Sequence, residues 1–314
     1  MKQLSKLTGP SSVILAAFAF FLAPQEAESQ HIFWSELDRG EVWTADWSGN
    51  NAQAIVTGLT RPIGLGLDQA GNRIYIAQDG ADGAGAISWA PIGGGTATDI
   101  VTGRSNPQML SLDTVGGHVY WTEYTGQVMR SDLSGGGVQT IMDDAARYTP
   151  LGLDRANQRL YASDPALGPE LWISDFDGSN KIQSPDSPFG NWSTNAMEIF
   201  GDLMYYSHGS EIRVSPLDDL TSFTTLADGI GLPLGLAVAP NDLIYWGARN
   251  DQAIGVVGLD GTGANTTFMD LTGIVGGDSN PFGVAVIPEP STYAFMFALG
   301  AGMLVLLRRR LRND

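Results

Sequence analysis

His118-Val-Tyr120-Trp121-Thr122-Glu123, then Gly126-Gln-Val128-Met129, then Ser134-Gly135-Gly136, and further on Pro150-Leu-Gly152-Leu153-Asp154: these four pieces of one stretch decide the fold. The first is an alternating strand carrying an aromatic pair. The second is another alternating strand after a Gly turn. The third is a Gly-Gly turn of the kind that joins antiparallel strands, and the fourth is an apolar strand opened by Pro. The pieces recur in the same order along the chain. The aromatic pair returns as Phe33-Trp34, Tyr75-Ile76, Tyr120-Trp121, Tyr161-Ala162, Tyr205-Tyr206 and Tyr245-Trp246, at steps of 42, 45, 41, 44 and 40 residues. That is the period of a four-stranded propeller blade.

The other markers keep phase. Hairpin turns fall at Ser48-Gly49-Asn50, Gly93-Gly94-Gly95, Ser134-Gly135-Gly136, Asp177-Gly178-Ser179, Asp218-Asp219 and Asp260-Gly261-Thr262. A Pro-x-Gly strand begins at Pro62, Pro150, Pro233 and Pro281, with a weaker copy from Pro107 to Asp113. The fourth repeat has Asn195-Ala-Met197-Glu-Ile199 in its place, without the Pro. Composition agrees: the 314 residues hold 40 Gly and only 16% charged residues, which suits short strands and tight turns rather than helices. The chain has no Cys, and a domain this long buries enough surface to do without disulfides.

Together the aromatic pair with Thr-Glu, the Gly-x-Ile strand, the Asp-Gly turn and the Pro-x-Gly strand resemble the YWTD repeat, the LDL-receptor class B repeat, over about residues 31–287. Tyr120-Trp121-Thr122-Glu123 nearly spells the motif, with Glu for its Asp. A neighbouring propeller family, NHL, remains open. The resemblance implies an all-β, six-bladed β-propeller of four-stranded antiparallel blades, with the Pro-x-Gly strand innermost. The repeats start on an aromatic pair and end on a Pro-x-Gly strand. The ring is therefore expected to close by pairing Pro281–Val286 with the blade built from residues 31–57, leaving no open central edge. Trp34, Tyr75, Tyr120, Trp121, Tyr161, Tyr205, Tyr245 and Trp246 are expected in the core between blades.

Both ends read as addresses. Residues 1–29 have the form of a Sec signal peptide: Lys2 and Lys6, an apolar run from Val13 to Ala23, and small residues at Ala27 and Ser29. The C-terminus runs Pro288-Glu289-Pro290, an apolar stretch from Tyr293 to Leu307, and a basic end at Arg308, Arg309, Arg310 and Arg312. This resembles the PEP-CTERM sorting signal over residues 288–314, with a transmembrane helix at 293–307. The resemblance implies recognition by an exosortase in a Gram-negative-type bacterium, membrane anchoring through the helix before processing, and display at the cell surface or in the extracellular matrix.

Between His31 and Ile287, 30 Asp and Glu face 11 Lys and Arg, a net charge of −19. Such a body repels nucleic acid. The three His residues fall at unrelated positions with no zinc-ligand spacing, and neither a nucleophile elbow nor a phosphate loop is present. Asp175-Phe-Asp177-Gly178 looks like a calcium loop, but its Gly comes too early, and the segment reads as a turn. Neither a cofactor nor a metal site is expected, and no catalytic set stands out.

A binding surface is the remaining candidate. Arg61, Arg104 and Arg147, the last beside Tyr148, precede three Pro-x-Gly strands, and a longer loop from Ser184 to Thr194 carries Phe189 and Trp192. Aromatic residues near an Arg cluster on one propeller face suit recognition of a polysaccharide or a surface protein. The competing reading pairs each Arg with a local acid such as Glu36, Asp38, Asp82, Glu123 or Asp164. The expected function is a surface-displayed binding module. The alternative is a propeller enzyme of the lactonase or lyase type with a metal in its central channel, where Glu198 is the main acidic residue of the inner strands.

Overall fold

The computed structural model describes residues 31–80, 83–143, 150–164, 170–185, 189, 194–239, 241–263 and 266–287. The expected signal peptide, Pro288-Glu289-Pro290 and the expected transmembrane helix at 293–307 lie outside the described residues. So do Arg147, Tyr148 and Trp192.

The described residues form 24 strands in six four-stranded antiparallel sheets. The first blade holds β1 (His31–Glu36), β2 (Glu41–Asp46) and β3 (Gln53–Val56). The second runs outward from β4 (Pro62–Asp68) through β5 (Arg73–Gln78) and β6 (Gly85–Pro91) to β7 (Thr98–Arg104). The third holds β8 (Pro107–Asp113), β9 (His118–Glu123), β10 (Gln127–Asp132) and β11 (Gln139–Met142). The fourth holds β12 (Leu151–Asp154), β13 (Arg159–Asp164), β14 (Glu170–Asp175) and β15 (Ile182–Ser184). The fifth holds β16 (Met197–Phe200), β17 (Leu203–His208), β18 (Glu211–Pro216) and β19 (Thr224–Ala227). The sixth holds β20 (Pro233–Ala239), β21 (Leu243–Ala248), β22 (Ala253–Gly258) and β23 (Thr266–Asp270). The last strand, β24 (Pro281–Val286), is the inner strand of the first blade. It pairs with β1 at Ile32↔Val286, Phe33↔Ala285 and Trp34↔Val284, so the ring closes as expected.

The aromatic pairs are core. Trp34, Tyr75, Tyr120 and Trp121 have no exposed surface, and Tyr161, Tyr205, Tyr245 and Trp246 are at most 4% exposed. They fill the space between neighbouring sheets, where each large ring removes apolar area that a lone blade would leave wet.

Inner strands crowd one another, and this is why the Pro-x-Gly strands carry Gly. A Cβ on Gly64 would lie 2.6 Å from the Gln108 carbonyl and from the Leu110 nitrogen of the next inner strand. Gly235 meets β24, and Gly283 meets β4, in the same way. The Pro residues bring a local irregularity. The inner pairing shifts register between Pro62 and Leu65, Pro107 and Leu110, and Pro233 and Gly235. Hydroxyls from the third residue of the aromatic quartet accept backbone N–H groups there: Thr122 Oγ1 from Met109, Ser35 Oγ from Gly283, and Ser207 Oγ from Asn195 and Ala196.

The turns between third and outermost strands share one device. Asp46, Asp132, Asp177 and Asp219 each accept a 2.6 Å hydrogen bond from the hydroxyl two residues on (Ser48, Ser134, Ser179, Thr221) and a second from that residue's backbone N–H. This Asx turn fixes the hairpin. The hydroxyl bonds hold the carboxyls of Asp46, Asp132, Asp177, Asp219 and Asp260 below their ordinary value of 3.8. Burial raises Glu36 and Glu198 above 4.5. The two groups act with opposite sign. Lowered carboxyls stabilise the fold above 3.8, and that contribution is lost as pH falls through their lower folded values. The raised glutamates disfavour the fold while ionised, and this penalty is relieved as pH falls through their raised values toward 4.5. The denaturant midpoint is therefore expected to rise as pH drops toward 4.5 and to fall below 3.8. A midpoint that falls steadily from neutrality would refute this balance.

Candidate functional site

Two structures deserve description as sites: the face formed by the loops leading into the inner strands, and the channel that the inner strands surround.

The lead-in loops bond to the loops between second and third strands. Asp79 N–H donates to the Arg61 carbonyl (3.0 Å), and Tyr124 N–H to the Asn106 carbonyl (3.1 Å), which sets both loop types on one face. On the opposite face the innermost turns bond to the third-strand turns, as in Ile92 N–H to Asn72 and Leu133 N–H to Gly117. The ring closes on that second face, where Ile287 N–H donates to the His31 carbonyl at 3.1 Å.

Each described lead-in loop that carries a predicted residue is gripped by the fourth residue of an aromatic quartet. These residues are Glu36, Gln78, Glu123, Asp164, His208 and Ala248, and all are buried. Glu36 accepts from Trp34 Nε1 (2.9 Å), Ser279 Oγ (2.8 Å) and Asn280 N–H (2.8 Å). Gln78 Oε1 accepts from Thr60 N–H at 2.7 Å. Glu123 accepts from Trp121 Nε1 (3.1 Å) and from Arg104 Nε (2.6 Å). His208 Nε2 lies 2.8 Å from the Phe189 carbonyl.

This places the predicted residues. Arg61 is on the lead-in face, between Asp79 (3.2 Å) and Asp38 (3.7 Å), and half exposed. Arg104 is on the same face but spends its charge on Glu123, whose side chain is only 3% exposed. Phe189 departs from the expectation of a surface aromatic. It is 1% exposed and packs edge-on against Tyr206 at 5.2 Å. Phe189 is a core residue, because a Phe has no polar edge to leave in water. Asp177 forms a turn, as read. Sequence reasoning missed Tyr124, which is 46% exposed on the lead-in face.

The pairings separate two kinds of arginine. Arg104→Ala strands the buried Glu123 carboxylate and is expected to destabilise the fold by about 2 to 4 kcal/mol. Arg61→Ala breaks an exposed pair and is expected to change stability by about 1 kcal/mol or less. Denaturant titration of the two variants tests the distinction, which fails if their losses are equal.

The channel encloses about 510 Å³. Aliphatic inner-strand residues such as Leu65, Leu110, Leu236 and Val284 line it together with the polar Asp68, Ser111, Thr114, Arg155 and Glu198. The residues opposite the first aromatic of each pair occupy equivalent places: Gly66, Ser111, Gly152, Glu198, Ala237 and Ala285. Five are small, and at Gly66 the reason is plain, since a Cβ would press on the Leu110 and Leu112 side chains. Glu198 breaks the set. Its side chain is 31% exposed, and that area gives onto the channel, whose walls strip enough water to raise its carboxyl. Arg155 Nη1 lies 3.9 Å away. Among the described residues no three His, Asp or Glu side chains gather in a metal-holding group.

Fold and termini define a six-bladed propeller on an exported chain. Residues 286–312 match the PEP-CTERM protein-sorting motif, which marks a C-terminal anchor that precedes sorting to the cell surface. No curated protein matches the chain. Solved structures share the fold. The propeller in a nidogen/laminin complex superposes with a TM-score of 0.71 at 16% identity, over 82% of this chain and 98% of that one. TolB from Acinetobacter baumannii gives 0.63 at 12% identity over 88% and 71%, and hydrazine synthase from Kuenenia stuttgartiensis 0.55 at 12% over 73% and 73%. The six-bladed propeller fold and the sorting motif are thus both present in this chain.

Proposed function

We propose that this protein is a binding module exported through the Sec route by residues 1–29, sorted by an exosortase, and displayed so that its lead-in face meets an extracellular polysaccharide or a surface protein. The observation that carries the reading is the Ile287 to His31 bond. It puts Ile287, the residue before Pro288, on the face opposite Arg61 and Tyr124. A chain tethered there presents the lead-in face outward. A solved structure that shares the fold is a nidogen/laminin complex, which supports a propeller of this kind as a partner-binding unit. Charge narrows the partner. The body carries −19, and Arg61 and Arg104 on this face pair with carboxylates. A neutral or basic surface suits this face better than an anionic one.

The test immobilises the full chain in detergent and offers it host matrix polysaccharide and host surface proteins across a salt series. Tyr124→Ala and Arg61→Ala are expected to lower retention. Val115→Ala, at a 98% exposed residue of the opposite face, is expected to leave it unchanged. Retention that depends on Val115 but on neither Tyr124 nor Arg61 would overturn the assignment of the face.

A further inference from the structure

The channel holds a feature that the outer face does not explain. At five of six equivalent inner-strand places the residue is Gly, Ser or Ala, and at the sixth it is Glu198. Among the described residues Glu198 accepts no hydrogen bond. Its one charged neighbour is Arg155, at 3.9 Å, beyond hydrogen-bond reach. Arg155 is committed elsewhere: its Nε donates to the Leu112 carbonyl (2.8 Å) and its Nη2 to Ser111 Oγ (3.3 Å). A carboxylate that the channel walls partly desolvate is costly without a donor. Here the acceptor is open and the space beside it is vacant of protein atoms.

We propose that the central channel binds a small organic cation, an aliphatic ammonium, with Glu198 as its counter-ion. The volume, about 510 Å³, lies in the range of small-molecule sites. Leu65, Leu110, Leu236 and Val284 line it and suit an alkyl body. Charge selects the sign of the ligand. The lining holds two carboxylates, Glu198 and Asp68, against one guanidinium, inside a body of net charge −19. A channel in such a body concentrates cations. Asp68 Oδ1 accepts from the Gly71 N–H (2.9 Å), which leaves Glu198 as the lining carboxylate that accepts no hydrogen bond among the described residues. Desolvation of Glu198 agrees with this, since a bound ammonium would restore the interactions that burial removes. A divalent ion is a poorer occupant, because it asks for more oxygen ligands than this wall offers.

The experiment uses the full chain in detergent and three probes of one shape: butylammonium, 1-butanol and butyrate. Ligand-observed NMR reads their dissociation constants. Butylammonium is expected to bind at least about tenfold more tightly than 1-butanol, and Glu198→Gln to lose about tenfold or more, the effect of one hydrogen bond to a charged group. Near-UV circular dichroism checks that this variant keeps its packing. Should it misfold, Arg155→Met reads the same proposal from the other side, since removing the competing cation is expected to tighten butylammonium binding. Equal binding of butylammonium and 1-butanol, tighter binding of butyrate, or weaker butylammonium binding in Arg155→Met would each overturn it.

Discussion

Glu36→Ala is expected to destabilise the protein by about 4 kcal/mol, within the range seen when one partner of a buried charged network is removed. Glu36 sits at the seam where the ring closes. It has no exposed surface, and its two carboxylate oxygens accept from Trp34 Nε1, Ser279 Oγ and Asn280 N–H. Two of these donors come from the segment that leads into β24, more than 240 residues away in the chain. Truncation leaves three donors with no acceptor in a space that water does not reach, and each orphan costs about 1 to 3 kcal/mol. Part of this is offset, because burial already disfavours the ionised Glu36. Urea denaturation of the variant measures the balance. A loss under about 1 kcal/mol would mean that desolvation cancels the hydrogen bonds and that backbone pairing alone holds the seam.

Gly235→Ala is expected to cost about 3 kcal/mol, at the upper end of overpacking effects. Its new methyl would fall on the Phe282 carbonyl, 2.7 Å from the Val284 nitrogen and 2.9 Å from the Gly283 Cα. All three are backbone atoms of β24, which cannot retreat because β1 holds its other edge. Flexible side chains could yield; paired strands do not. Gly273 is the control. A Cβ there meets nothing within 4 Å, and Gly273→Ala is expected to change stability by about 0.5 kcal/mol or less. Similar melting shifts in the two variants would show that the inner strands have more slack than their spacing implies.

These two positions mark where sequence reading was strong and where it stopped. Gly235 was legible as part of a Pro-x-Gly strand, because the repeat of aromatic pair, turn and apolar strand imposes its period on the chain itself. From that period followed the six blades and their four strands, and from the resemblance to the YWTD repeat, which implies an innermost Pro-x-Gly strand, the closure of β24 on β1. The sorting motif was legible for the same reason: its parts are contiguous, and their order alone carries the chemistry. The burial of Trp34, Tyr120 and Tyr205 followed from alternation, which decides which side of a strand meets a neighbouring sheet.

Other features depend on contacts between distant residues, and no local pattern records them. That Arg104 serves Glu123 while Arg61 stays half exposed is set by how far each acid is buried behind its loop. That Phe189 is core depends on a pocket formed by Tyr206 and neighbouring side chains of the next blade, against which its ring fits edge-on. Glu198 could be seen in the sequence as an acid on an inner strand. That it faces the channel without a hydrogen bond, while Arg155 turns toward Leu112 and Ser111, was decided by tertiary structure. Periodicity specifies which strands pair, because pairing repeats along the chain. The partners of a charged side chain are specified only once the ring has closed and each carboxylate has either found its donors or been left to face the channel.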